Sequence, residues 1–139
     1  MIEIVREPID VAALLGAMSH PADGAQALFL GNVRDHHEGR SVEYLEYEAY
    51  EPMAVAQMGG IRDAALERFD VRDIGVIHRI GRIDIGGAAV AVVAASAHRA
   101  PAFEACRWVM DEIKERVPIF KREFYEDGDR WIEGGTKSS

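Results

Sequence analysis

The sequence predicts an α+β fold in which helices pack on one face of a largely antiparallel sheet. First, the chain has 139 residues, which is the size of one domain with its own core. Second, strand-like and helix-like segments alternate in the order β α β β α β β α β β. Third, no glycine-rich phosphate loop separates a strand from a helix, which argues against a doubly wound nucleotide-binding fold. A two-layer sandwich accommodates these segments.

Seven segments have the continuous apolar runs or the alternating pattern that strands show. They are residues 2–6, 26–33, 41–50, 74–80, 88–97, 119–126 and 130–133. The runs 74–80 and 88–97 are rich in Ile, Val and Ala, which is typical of well-buried strands. Asp127-Gly128 is a turn sequence, so the last two strands are expected to pair as a hairpin.

Helix signals stand between these strands. Asp10 can accept hydrogen bonds from the free N–H groups at the start of a helix over residues 11–18. Pro52 suits the first turn of a second helix, because that position needs no N–H. This helix is expected to extend to about Phe69, although Gly59-Gly60 weakens it in the middle.

The third predicted helix begins near Pro101 and is stopped by Pro118. Its apolar positions recur at steps of three and four, the spacing of one buried face, at Phe103, Cys106, Met110, Ile113 and Val117. Lys114 lies at the edge of this stripe, about 40° around the helix from Met110. Partial burial disfavours a charged ammonium group, so we expect a lowered pKa, which suits proton transfer. The alternative is a lysine that extends from the helix edge into water.

The strand over 119–126 also carries charged residues. Its alternation places Lys121 and Glu123 on one face and Arg122 on the other, because side chains along a strand repeat every two residues. Lys121 and Glu123 are therefore expected to be neighbours. An exposed ion pair on the surface of the sheet is the alternative interpretation.

Three further residues could bind an anion. His98 and Arg99 lie between the strand 88–97 and the third helix, where unpaired N–H groups favour negative charge. Arg34 stands where the strand 26–33 ends, and an arginine can hold phosphate with two parallel hydrogen bonds. The pattern alone leaves open that all three are ordinary surface residues.

Charge and composition exclude several classes of protein. Sixteen Lys and Arg residues against 24 Asp and Glu residues give a net charge of −8, the wrong sign for holding duplex DNA. The longest apolar stretch, 88–95, is too short to span a bilayer, and the first ten residues lack the pattern of a signal peptide. The single cysteine, Cys106, is expected to be inert core and has no partner for an intrachain disulfide. We expect a cytoplasmic protein without a membrane or nucleic-acid partner.

His36 and His37 are the residues that most suggest a metal. They are expected to lie on a solvated polar loop, where adjacent histidines rarely converge on one ion. The sequence has no His-x-x-x-His pair at helical spacing. No metal and no cofactor are therefore expected, and a metal hydrolase built on the two histidines remains a competing hypothesis.

Four segments together resemble a known family. They are FLGNVRDHHEG, VIHRIG, SAHRAPAFEACRWVMDEIKERVPIFKRE and GDRWIEG, which extend in order from about Phe29 to Glu133. The chain resembles the large, catalytic subunit of molybdopterin synthase. The resemblance implies an α/β hammerhead fold, a homodimer, and a small ubiquitin-like sulfur-carrier subunit at each outer end, making a heterotetramer. It also implies a sulfurtransferase that uses the carrier's C-terminal thiocarboxylate to convert cyclic pyranopterin monophosphate into the dithiolene of molybdopterin.

The resemblance also assigns site residues. The family's catalytic pair falls on Lys114 and Lys121. Its substrate-binding residues fall on Arg34, His98, Arg99, Arg122 and Glu123. Apolar lining of the pocket falls on Phe29 and Met110.

From these positions we derive a hypothesis about roles. The phosphate and the pterin would be held by His98, Arg99 and Arg34. Lys114 would meet the thiocarboxylate and act as a general acid, while Lys121, held by Glu123, would protonate or orient the pterin side chain. Residues 1–133 would form one catalytic domain and residues 134–139 a flexible tail. The alternative is a non-catalytic dimeric module that binds a small anion with the same arginines.

Overall fold

The computed structural model describes residues 1–126 and 128–132. In this part of the chain it contains three helices and nine strands. The helices are α1 (Val11–Met18), α2 (Glu51–Arg68) and α3 (Arg99–Arg116). The strands are β1 (Ile2–Val5), β2 (Ala25–Asn32), β3 (His36–His37), β4 (Arg40–Ala49), β5 (Asp73–Arg79), β6 (Gly81–Asp84), β7 (Ala88–Ser96), β8 (Ile119–Tyr125) and β9 (Gly128–Ile132).

The strands form two sheets. The first has the order β1-β5-β7-β2, in which β1 and β5 are parallel and the other pairs are antiparallel. The second has the order β3-β4-β8-β9, all antiparallel, and β6 also pairs with β4. The prediction of an α+β fold with largely antiparallel pairing is confirmed, but the strands divide between two sheets.

Helices cover both faces of the first sheet, which corrects the expectation that they share one face. Residues of α2 and α3 pack against the face that carries Val76 and Val92. α1 packs against the opposite face through Leu14 and Met18, which contact Ile77. This arrangement follows from the sequence of β7, where every residue from Ala89 to Ser96 is buried, because a strand without a polar face needs cover on both sides.

Two local features differ from the prediction. The segment expected to join two strands contains β6, in which Ile83 is fully buried and pairs with Leu45 of β4. Gly81 makes this reversal feasible because its φ of 85° lies in the left-handed region that favours glycine. Phe103, expected to be core, is 66% exposed, because it lies near the start of α3 beside the edge strand β2 rather than over the sheet.

The predictions for the C-terminal end are tested only in part. β8 and β9 pair with Gly128 opposite Tyr125, as expected for the hairpin. Asp127 of the turn, Glu133 at the end of the predicted strand, and the tail 134–139 lie outside the described residues. Among the described residues, no helix combines the length and the apolar character that crossing a membrane requires.

Candidate active site

A cleft lies between α3 and the edge strand β2. We call it the α3–β2 cleft, and it has a volume of about 280 Å³. Its lining residues are Ala27, Leu28, Phe29, Phe103, Cys106, Arg107, Met110, Asp111 and Lys114. Cys106 and Met110 are buried in its floor, and the rings of Phe29 and Phe103 remain partly exposed. The structure thus brings Phe29, Met110 and Lys114 together, with the lysine at one end of an apolar channel.

Lys121 is the most deeply buried cation of the candidate site. It lies on the inward face of β8, and only 3% of its surface is exposed. Burial lowers the pKa of Lys121, and the positive charges of Arg34 and Lys114 lower it further, while the charge of Glu123 opposes them. Arg34 and Lys114 are therefore close enough to Lys121 for their charges to act on it, although the three residues come from three different segments.

Glu123 is held at one of its oxygens by two hydrogen-bond partners, with an arginine farther away. Nδ1 of His37 lies 2.5 Å from Oε1, and the hydroxyl of Tyr125 donates to the same atom at 2.5 Å. The guanidinium of Arg130 is 3.8 Å away. Burial alone raises the pKa of Glu123, but the hydrogen bonds from Tyr125 and His37 and the nearby positive charges lower it overall. Lys121 acts on Glu123 through its charge, so the two are neighbours as expected.

A buried tyrosine lies next to Lys121 in the structure, and a buried histidine contacts this tyrosine. Tyr47 of β4 lies directly opposite Lys121 in the β4–β8 ladder and is itself buried. Burial, with the charge of Glu123, raises the pKa of Tyr47, so this phenol stays protonated at neutral pH. The ring of His78 meets Tyr47 edge-on at 5.2 Å between centroids. Burial lowers the pKa of His78 to about 4, so this imidazole is neutral.

His98 and Arg99 lie far from Lys114 within one chain. His98 is the residue that precedes α3, Arg99 is the first residue of the helix, and both are exposed. Fifteen residues of helix separate Arg99 from Lys114, which at 1.5 Å per residue is roughly 22 Å. The structure therefore places these two predicted substrate-binding residues at the opposite end of α3.

Arg122 also lies apart from the buried lysine. It faces the outer side of β8, where its Nε donates to Asp129. Its guanidinium is 5.4 Å from the ring of Trp131 and 5.0 Å from that of Phe124. The alternation along β8 that directs Lys121 inward directs Arg122 outward, so one chain does not bring the two together.

His37 corrects the expectation of a solvated histidine loop. Its side chain is only 11% exposed, because β3 folds against β4 and brings the ring to Glu123 of β8. His36 is exposed, and its Nδ1 lies 2.8 Å from Asp35 instead. The two neighbouring rings thus have different partners, and residues 1–126 and 128–132 contain no group of three or more His, Cys, Asp or Glu placed to hold a metal.

No signal in the sequence marks Tyr47 for this site, and His37 stands out there only as a candidate metal ligand on a solvated loop. The period of two along β8 also places Tyr125 on the face of Lys121 and Glu123. No comparable signal identifies His37, since its partner is 86 positions away along the chain.

Comparison with known proteins identifies the family. The family model described as MoaE protein matches residues 4–116. The chain belongs to the MoaE family. A "Molybdopterin synthase catalytic subunit" from Pyrococcus abyssi is 44% identical over 135 residues, which cover 96% of this MoaE chain and 91% of the relative.

Solved structures agree with this assignment. The crystal structure of molybdopterin synthase from Staphylococcus aureus matches the MoaE chain with a TM-score of 0.90 and 39% identity, over 94% of this chain and 95% of that one. A complex of subunits 1 and 2 of the molybdopterin-converting factor from Helicobacter pylori matches with a TM-score of 0.76, over 95% of this chain and 88% of that one. At 22% identity, the second match shows a shared fold alone.

Proposed function

We propose that this chain is the catalytic subunit of a molybdopterin synthase, a sulfurtransferase. It would take sulfur from the C-terminal thiocarboxylate of a small carrier subunit and transfer it to cyclic pyranopterin monophosphate. Membership of the MoaE family supports the activity. The observation that carries the proposal is the buried Lys121, on which the charges of Arg34 and of Lys114, a residue that lines the α3–β2 cleft, both act.

The α3–β2 cleft is the proposed seat of the carrier's tail. It is narrow and mostly apolar, and one of its walls is β2, an edge strand of the first sheet. An extended peptide can lie along such an edge, where main-chain groups provide affinity and side-chain pockets provide specificity. Lys114 at the end of the lining would then meet the terminal thiocarboxylate.

The charges fit the two reactants. The thiocarboxylate and the phosphate ester are both anions, so bringing them together requires nearby cations. Arg34, Lys114 and Lys121 supply this positive charge locally on a chain whose net charge is −8. The surrounding acidity would discourage other polyanions from binding nonspecifically.

Lys121 is also suited to proton transfer. A lysine whose pKa is lowered by burial gives up its proton more readily near neutral pH than an exposed one. The lowered pKa of Lys121 supports a role in protonating or orienting the pterin side chain. Lys114 would act as the general acid at the thiocarboxylate.

A second copy of the chain would complete the site. His98 and Arg99 cannot reach Lys114 within one chain, because roughly 22 Å of α3 separates Arg99 from the lysine. A homodimer could place the start of one copy's α3 near the lysines of the other. The proposed assembly is such a homodimer with one carrier subunit at each outer end.

The test is a conversion assay. The protein is mixed with a thiocarboxylated carrier and cyclic pyranopterin monophosphate, and the oxidised fluorescent derivative of molybdopterin is measured. We expect product from the wild type and from Lys137→Ala, and at least about a hundredfold less from Lys114→Ala or Lys121→Ala. No product from the wild type, with a carrier that supports another synthase, would overturn the proposed function.

A further inference from the structure

The contact between His37 and Glu123 connects the short edge strand β3 to the inner strand β8 of the second sheet. His37 is on β3 and Glu123 is on β8, and their side chains are 11% and 4% exposed. A carboxylate accepts hydrogen bonds only, so Nδ1 of His37 carries the hydrogen that it shares with Oε1. Such a buried, charge-assisted bond is stronger than one between neutral groups.

Glu123 is hydrogen-bonded by other residues, whereas it interacts with Lys121 only through charge. Donors from His37 and Tyr125 both reach Oε1, and Arg130 approaches the same oxygen. Lys121 affects the carboxylate through its charge, without one of these hydrogen bonds. The carboxylate is thus restrained by its other neighbours while it remains near the ammonium group.

We propose that His37 is a positioning residue for Lys121. By holding the Glu123 carboxylate, it prevents a direct ion pair between Glu123 and Lys121 and leaves the ammonium group available to the substrate. The proposal rests on the proposed function in one respect, namely that Lys121 is the lysine that serves the transfer reaction.

Every element around His37 and Glu123 contributes a charged or titratable group. They are Glu38 after β3, Arg40 and Tyr47 on β4, Lys121 and Tyr125 on β8, Arg130 on β9, Lys114 on α3, and Arg34 after β2. Arg130 already binds Glu38 at 3.2 Å, and the guanidinium of Arg40 lies over the ring of Tyr125. Both arginines thus already have other contacts, and a released Glu123 carboxylate is expected to turn to Lys121, whose charge already acts on it.

The experiment compares two variants of similar shape. His37→Leu removes the donor, whereas His37→Asn keeps an N–H group near the position of Nδ1. His36→Leu is the matched control, because it removes the neighbouring histidine, which has a different partner. The protein is labelled with [¹³Cε]lysine, and each lysine is titrated by NMR. The chain has only three lysines, Lys114, Lys121 and Lys137, so Lys→Arg variants assign every signal.

We expect His37→Leu to raise the pKa of Lys121 by about one unit, since an opposite charge that comes into contact favours the charged form. His37→Asn and His36→Leu should titrate as the wild type does. If His37→Leu does not stay folded, His37→Ala removes the same donor with a smaller side chain and should also raise the pKa of Lys121.

The pH dependence of sulfur transfer provides a second readout. In His37→Leu, the pKa that governs the basic limb of the pH–rate profile should rise by the same amount as the pKa of Lys121 measured by NMR. A Lys121 titration that is unchanged or lowered in the variant overturns the proposal. The absence of product from the wild type would instead overturn the proposed function, and the NMR titration would still decide the role of His37.

Discussion

Arg99 and Lys114 lie at opposite ends of the same helix, α3, roughly 22 Å apart along its axis. Both residues are proposed members of one site, yet the helix that carries them keeps them apart within one chain. Two copies of the chain, arranged about a twofold axis, could satisfy both requirements. Each site would then combine Lys114 of one copy with Arg99 of the other.

This arrangement predicts complementation between inactive variants. Arg99→Ala and Lys114→Ala should each lose sulfur transfer, but mixing them with subunit exchange should restore about a quarter of wild-type activity, because half of the dimers are hybrids with one intact site of two. The conversion assay after controlled unfolding and refolding measures this. Mixtures that stay as inactive as the separate variants would contradict a shared site. Arg99 and Lys114 would then act in the site of the same chain or in unrelated functions.

Substitution of Lys114 separates catalysis from simple anion binding. Lys114→Ala should lower turnover by about 10²- to 10⁴-fold, the usual effect of losing a positioned acid, and should leave carrier binding largely intact. Lys114→Arg keeps the charge but cannot donate its proton near neutral pH. We expect it to be nearly as inactive as the alanine variant in the conversion assay. Wild-type turnover by Lys114→Arg would show that residue 114 binds an anion and does not donate a proton.

The fold class and part of the site follow from local periodicity. The period of two along β8 predicts that Lys121 and Glu123 share one face with Tyr125, and the structure has this arrangement, with that face buried. The stripe of α3 places Lys114 beside Met110 in the same way. These relationships depend on backbone geometry alone, so sequence suffices to predict them.

Contacts between distant segments could not be predicted in this way. Phe103 has the spacing of a core residue, but it is exposed because the sheet ends at β2 beside the start of α3. His37 reaches Glu123 only because β3 pairs with β4 and β4 pairs with β8. Neither the limit of a sheet nor the order of its strands is encoded in the pattern of one segment.

Lys121 should reduce the stability of the fold at neutral pH. Burial lowers its pKa below the unfolded value of 10.5, so the unfolded chain binds the proton more tightly than the folded one. Stability therefore rises as the pH rises from the folded pKa toward 10.5. We expect Lys121→Met to raise the free energy of unfolding at pH 7 and to abolish turnover. Urea denaturation measures the first effect, and Lys137→Met serves as a control.

The difference in the free energy of unfolding between wild type and Lys121→Met should become smaller at high pH. The free energies of unfolding of wild type and Lys121→Met should approach each other as the pH rises toward 10.5, where the lysine of the unfolded chain also loses its proton. A gap that is independent of pH would indicate that packing of the methionine, rather than removal of a buried charge, causes the stabilisation.

His78 should make the fold sensitive to mild acid. It is fully buried, and burial lowers its pKa from 6.5 to about 4. Between these values the unfolded chain takes up a proton that the folded chain does not, so stability falls as the pH falls, by at most about 1.4 kcal/mol per pH unit. His78→Gln should remove this part of the pH dependence, even if its stability at pH 7 is lower because the contact with the carbonyl of Arg79 changes. Urea denaturation at pH 7, 6 and 5 measures the slopes. His20 is exposed and provides the control, because His20→Gln should keep the wild-type slope. Equal slopes for wild type and His78→Gln would contradict the role assigned to His78.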